Sequence, residues 1–175
     1  TNQTVQQKAQ FANDGNADLF ISIHRNSSPY PGQYEGVQTL IYDRSGIKVP
    51  MAENINRQLE EVGYRNINVE TRPNLAVLRR TKMPALLVEV GFLNNEKDNQ
   101  LFDTRFQETA QAIADGIMET LNAVSGETGN GSPQNPGGQR PLYRVQVGAF
   151  YNLQNAVALE QELKRLGYNT WIVTV

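Results

Sequence analysis

The sequence predicts an α/β protein: a mainly parallel sheet flanked by helices, with a small strand–helix–strand unit behind a linker. Three observations predict it. Short apolar runs of strand length alternate with amphipathic helical stripes over residues 1–124, the pattern of a layered α/β fold. A stretch without a strong apolar residue, SGETGNGSPQNPGGQRP over residues 125–141, then interrupts that pattern. Beyond it, one more strand, helix and strand can be read.

Residues 4–13 read as a helix with Val5, Ala9 and Ala12 on one face and Gly15 just beyond. ADLFISIH over residues 17–24 and VQTLIYD over residues 37–43 have strand length and composition. Residues 49–62 are helical: Met51, Ile55, Leu59 and Val62 step by four, four and three, and Gly63 ends the run. Residues 76–79 and ALLVEVGF over residues 85–92 read as strands. Residues 104–123 form a helix with Phe106, Ala110, Ile113, Ile117 and Leu121 as its stripe. Thr104 and Gln107 are spaced as a capping box at its start.

Residues 125–141 hold five of the 14 glycines and three of the 8 prolines. Such a stretch buries too little apolar surface to offset its ordering entropy, so it is expected to be a flexible linker. After it, residues 143–150 alternate, with Tyr143, Val145 and Val147 on one face. Asn152 can cap a helix carrying Ala156, Leu159, Leu163 and Leu166, closed by Gly167, and residues 170–175 read as a second strand. One such unit is too small to be stable by itself.

Composition narrows the function. Sixteen basic against 18 acidic residues, a net charge of -2, give no basic surplus of the kind a nucleic-acid binder shows. No apolar run approaches the roughly 18 residues of a membrane span. The absence of cysteine excludes disulfides, thiolate zinc sites and cysteine nucleophiles. Neither a phosphate-binding P-loop nor a dinucleotide glycine fingerprint is present.

Two residues stand out chemically. His24, the single histidine, ends an apolar strand and is followed by the polar loop Arg25, Asn26, Ser27 and Ser28. Ligands bind at the carboxyl ends of strands in open α/β sheets, and imidazole is a common metal ligand. The alternative is an incidental histidine. Glu89 is flanked on both sides by strand-core residues. A carboxylate there needs a cation, a metal-bound water or a shifted pKa, and catalytic acids and bases occur in such places. The alternative is a strand face open to water, with Ala85, Leu87, Glu89 and Gly91 on it, which Leu87 weakens.

Together these residues resemble a known family. Asn13 with ADLFISIHRN over residues 17–26, Gly36 with residues 37–42, LAVLR over residues 75–79 and MPALLVEVGFLNN over residues 83–95 resemble the zinc-dependent N-acetylmuramoyl-L-alanine amidases, the Amidase_3 family. The resemblance covers roughly residues 1–121. It implies that His24 is a zinc ligand and Glu89 the catalytic glutamate. It implies cleavage of the amide between the muramic acid lactyl group and L-alanine in peptidoglycan. In that setting Asn26 would hold the loop after His24 or donate to substrate, and Arg79 would meet a substrate carboxylate or the lactyl carbonyl. The plain alternative for Arg79 is a surface arginine.

LYRVQVGAF over residues 142–150, Asn155 and Ala156, and LGY over residues 166–168 resemble the first half of a SPOR domain. That resemblance implies binding of peptidoglycan glycan strands over residues 142–175. It also implies a place in the cell wall, outside the cell, or in the mother cell of a spore former, with sporulation as the setting. The chain departs from the amidase pattern where the family places its other two zinc ligands: only the histidine of the second motif is present. A β-α-β block on the order of thirty or more residues is therefore expected ahead of Thr1, and a second half for the SPOR unit, the alternatives being a real truncated product or one piece completed by another chain. A non-catalytic wall-binding protein that keeps the amidase fold without a complete zinc site is the competing expectation.

Overall fold

Strands β1 (Phe20–Asn26), β2 (Val37–Ile41), β3 (Asn66–Thr71) and β4 (Ala85–Phe92) form one sheet in the order β1-β4-β2-β3. The computed structural model describes residues 3–125, 153–165, 170 and 172. β1 pairs β4 in parallel and β3 pairs β2 in parallel. β2 and β4 at the centre run antiparallel, so two of the three pairings have the expected sense. Around the sheet lie α1 (Val5–Asp14), α2 (Lys48–Val62), α3 (Ala76–Arg79), α4 (Glu96–Thr104) and α5 (Phe106–Val124). The chain divides into two units, Thr1–Gly131 and Ser132–Val175. In the second, α6 (Leu153–Arg165) is the described element.

Strand alternation sorts the sheet's side chains onto two faces. Leu86, Val88 and Val90 of β4 and Val37 and Ile41 of β2 face α2 and α5. There they join Met51, Ile55, Leu59, Ala112 and Ile113 in the main core. A buried polar cluster on this side is closed on itself. Asn56 accepts from Thr39 Oγ1 at 2.7 Å and donates to the Asn68 carbonyl at 2.8 Å, tying α2 to both β2 and β3. On the opposite face Phe20, Leu40, Ala85 and Leu87 pack beneath Leu75, Val77 and Leu78, so α3 covers a second, smaller core.

Several expectations are corrected. Residues 76–79 form α3 and not a strand: a run of three apolar residues and an arginine fits either period, and here it is one helical turn laid over the sheet. The capping box at Thr104 and Gln107 does not form. Thr104 ends α4, with its hydroxyl donating to the Gln100 carbonyl at 2.7 Å, and α5 starts after Arg105 without a side-chain cap. A capping box does close at Thr4 and Gln7, at the start of α1. β3 and α4 appear where the sequence reading placed no element. The linker over residues 125–141 lies outside the described residues except for Ser125, as does the strand over residues 143–150. Of the strand expected over residues 170–175, Thr170 and Ile172 are described, and neither has regular structure.

Candidate active site

The face under α3 changes character along its length. Past Leu87 and Leu40, the next residues inward from each strand are polar. His24 stands in register with Glu89, Glu89 with Gln38, and Gln38 with Asn68. Register partners share a face, so these four form one polar row across all four strands. This row lies in the C-terminal half of β1 and β4, where ligand sites of α/β sheets lie.

Glu89 is half-buried in β4, and among the described residues its Oε2 is a buried side-chain oxygen with no hydrogen-bond partner. Burial pushes its carboxyl above the ordinary glutamate value of 4.5, against the opposing pull of the His24 and Arg72 charges. An acid held this way takes up a proton more readily than a solvated glutamate, which suits a proton shuttle. His24 is exposed beside it. Its Nε2 lies 2.9 Å from Ser22 Oγ, two residues back on the same strand face.

The frame that sets this row is built from backbone-directed bonds. Arg25 crosses under β4, donating to the Val90 and Phe92 carbonyls at 3.1 and 3.2 Å and to Asn99 Oδ1 at 2.8 Å. Its guanidinium lies 4.5 Å from the Phe102 ring centre, a stacking that favours arginine. Asp98, 1% exposed, accepts from the Gly36 and Phe92 amides at 2.9 and 2.8 Å. It thereby joins the start of β2 to the end of β4. Gly36 has φ +104°, and a Cβ there would fall 2.0 Å from the Arg65 carbonyl oxygen, so no other residue fits this join.

The structure brings His24 and Glu89 together. Asn26 sits two residues further along β1. Its side chain accepts from the Ser27 amide at 2.8 Å and its carbonyl from the Leu93 amide at 2.8 Å. Arg79 is exposed in the last turn of α3. The arginine whose charge bears on Glu89 is Arg72, which follows β3. Sequence reasoning passed over Gln38, Asn68, Glu70 and Arg72. The available signal was Gln38, which interrupts an apolar strand just as Glu89 does.

Among the described residues no group of three His, Cys, Asp or Glu side chains could hold a metal ion. One imidazole beside one carboxylate does not close a tetrahedral zinc site, which takes three protein ligands and an open position.

Comparison with known proteins places the chain. Residues 1–119 match the family model for N-acetylmuramoyl-L-alanine amidase. The chain belongs to that family. Residues 111–174 match the SPOR domain model. The chain is 31% identical to the N-acetylmuramoyl-L-alanine amidase CwlM of Bacillus licheniformis, covering 99% of this chain and 64% of that one. It is 28% identical to the sporulation-specific N-acetylmuramoyl-L-alanine amidase of Bacillus subtilis strain 168, covering 97% and 62%. The crystal structure of N-acetylmuramoyl-L-alanine amidase from Clostridium difficile 630 matches with a TM-score of 0.64 and 26% identity, covering 70% of this chain and 68% of that one. The chain thus spans less than two thirds of the length of these curated relatives. Members of this amidase family are generally zinc-dependent.

Proposed function

We propose that this chain belongs to a peptidoglycan hydrolase that cleaves the amide between N-acetylmuramic acid and L-alanine. The carrying observation is Glu89: a half-buried carboxyl with an unpartnered oxygen, raised above its ordinary pKa, one strand away from the lone histidine. In this reading Glu89 takes a proton from the attacking water and hands it to the leaving amine, a role worth typically about 10²–10⁴-fold. The apolar floor of Leu87 and Leu40 beside it keeps the carboxyl poorly solvated. His24 would be the imidazole offered to a zinc ion, which when bound would supply water activation and polarisation of the amide carbonyl. Asn26 anchors the loop after His24 and Arg79 receives a substrate carboxylate or the lactyl carbonyl.

The second unit carries the binding role. Residues 125–141 serve as a linker, and residues 142–175 are half of a SPOR unit that holds glycan strands. The sporulation-specific relative supports a setting in the wall of a spore former, outside the cell or in the mother cell.

Glu89→Gln tests the reading in the full-length chain. It keeps volume and removes the base. Release of L-alanine-terminated stem peptides should fall roughly 10²–10⁴-fold while the fold stays intact. Normal release would eliminate Glu89 as the proton shuttle. The 175 residues alone should hold zinc weakly, since one imidazole is a poor site. One zinc per chain surviving dialysis would show that further ligands are present.

A further inference from the structure

The polar row continues past Glu89, and its far end is locked. Gln38 Nε2 donates to Asn68 Oδ1 at 2.7 Å and to Glu70 Oε2 at 2.8 Å. An ionised carboxylate only accepts, so Glu70 decides which end of the Gln38 amide faces β3. Arg72 Nη1 in turn lies 3.4 Å from Glu70 Oε1. Both N–H groups of Gln38 are therefore committed to β3. What Gln38 has left to offer is its carbonyl oxygen, to which no described residue donates. Directly opposite it, across the central antiparallel pair, stands Glu89, and such partners have Cα atoms about 4.5–5.5 Å apart.

We infer that Gln38 Oε1 accepts the N–H of the amide hydrolysed beside Glu89, making Gln38 a specificity-determining residue for secondary amides. The inference rests on the amide hydrolysis proposed for this site. A secondary amide carries one acceptor and one donor. Its carbonyl finds no donor at the locked Gln38, whereas its N–H finds an acceptor held in one orientation. A tertiary amide, alkylated on that nitrogen, has no proton to give and leaves Oε1 unpaired against an alkyl group. Glu70 and Arg72 act one step further back, as positioning residues that keep the Gln38 amide from turning over.

The test uses the full-length chain with a soluble muramoyl–L-alanine peptide as substrate and its N-methyl-alanine analogue as inhibitor. Gln38→Leu should raise KM for the secondary amide by about tenfold, the scale of one hydrogen bond, with kcat nearly unchanged. It should leave the inhibition constant of the N-methyl analogue where it was. Glu70→Gln, which can donate to Oε1 and let the amide flip, should raise KM by about threefold. Wild-type KM in both variants would overturn the inference, as would equal weakening of substrate and N-methyl analogue. Failure of the amidase reading looks different: the unmodified chain would release no L-alanine-terminated peptide, and the assignment of Gln38 would fall with it.

Discussion

On the α2 and α5 side of the sheet, Leu86, Val88 and Val90 are at most 1% exposed. The polar atoms admitted there are paired, Thr39 to Asn56 and Asn56 to β3. One residue along the same strand, on the other side, Leu87 is buried under α3, and then Glu89 leaves an oxygen without a partner. The same β4 residues thus serve two purposes by parity. The even positions hold the molecule together. The odd positions begin as core and end at Glu89, whose Oε2 stabilises nothing by being unpaired. Unpaired buried polar groups cost free energy, and a fold that keeps one gains something other than stability from it.

The sharpest separation of the two faces comes from pairing Ile55→Ala with Glu89→Gln. Ile55 is fully buried in the main core, and its truncation should cost about 2–5 kcal/mol in denaturant unfolding. Glu89→Gln should cost nothing or add slightly to stability, since it removes a poorly solvated charge. A loss of stability in Glu89→Gln matching that of Ile55→Ala would show that both faces are structural and break the comparison.

Thr39→Val comes next. It keeps the shape of a fully buried residue and strands Asn56 Oδ1, so it should cost about 1–3 kcal/mol without changing KM or kcat in proportion. Loss of activity beyond the loss of folded protein would mean that the packed face communicates with the polar row.

The smallest expected effect is in pH dependence. The Glu89 carboxyl titrates above its unfolded value in the folded chain. The folded state therefore holds the proton more tightly, and this group's contribution to stability falls as pH rises above 4.5 through the folded pKa. The stability difference between Glu89→Gln and the unmodified chain should widen with pH over that window. The acid limb of the hydrolysis rate should also lie above 4.5, because the base works only when ionised. A difference that stays flat with pH would remove burial as the cause of the shift.

How much of this was legible beforehand follows from the same two faces. The packed face announces itself: Leu86, Val88 and Val90 alternate, and Met51, Ile55, Leu59 and Val62 keep a helical stripe, so the central strand and its covering helix read directly. β3 did not, because it is an edge strand whose Asn66, Asn68 and Glu70 meet polar partners and leave only Ile67 and Val69 as an apolar signal. α4 is polar nearly throughout, although Asn95 does cap it, accepting from the Asp98 amide at 3.1 Å. His24 and Glu89 were visible as oddities within apolar runs. That they are neighbours, and that Gln38 stands next in line, depends on strand order and register. Order β1-β4-β2-β3 with an antiparallel centre is a tertiary fact that no local pattern contains.

The joint made by Asp98 has a consequence for how this protein can vary. Its carboxylate fixes the amide that opens β2 and the amide that closes β4, while Asn94 grips Ser28 just after β1, accepting from its amide at 3.1 Å and donating to its carbonyl at 2.7 Å. The stretch between those two anchors, which carries the exposed Tyr30 and Tyr34, is therefore stapled at both ends to residues 94–98, which lead from β4 into α4. Insertions or deletions inside it need not propagate into either strand. Descendants of this sequence can lengthen, shorten or rewrite that loop while Glu89 and its row stay in register.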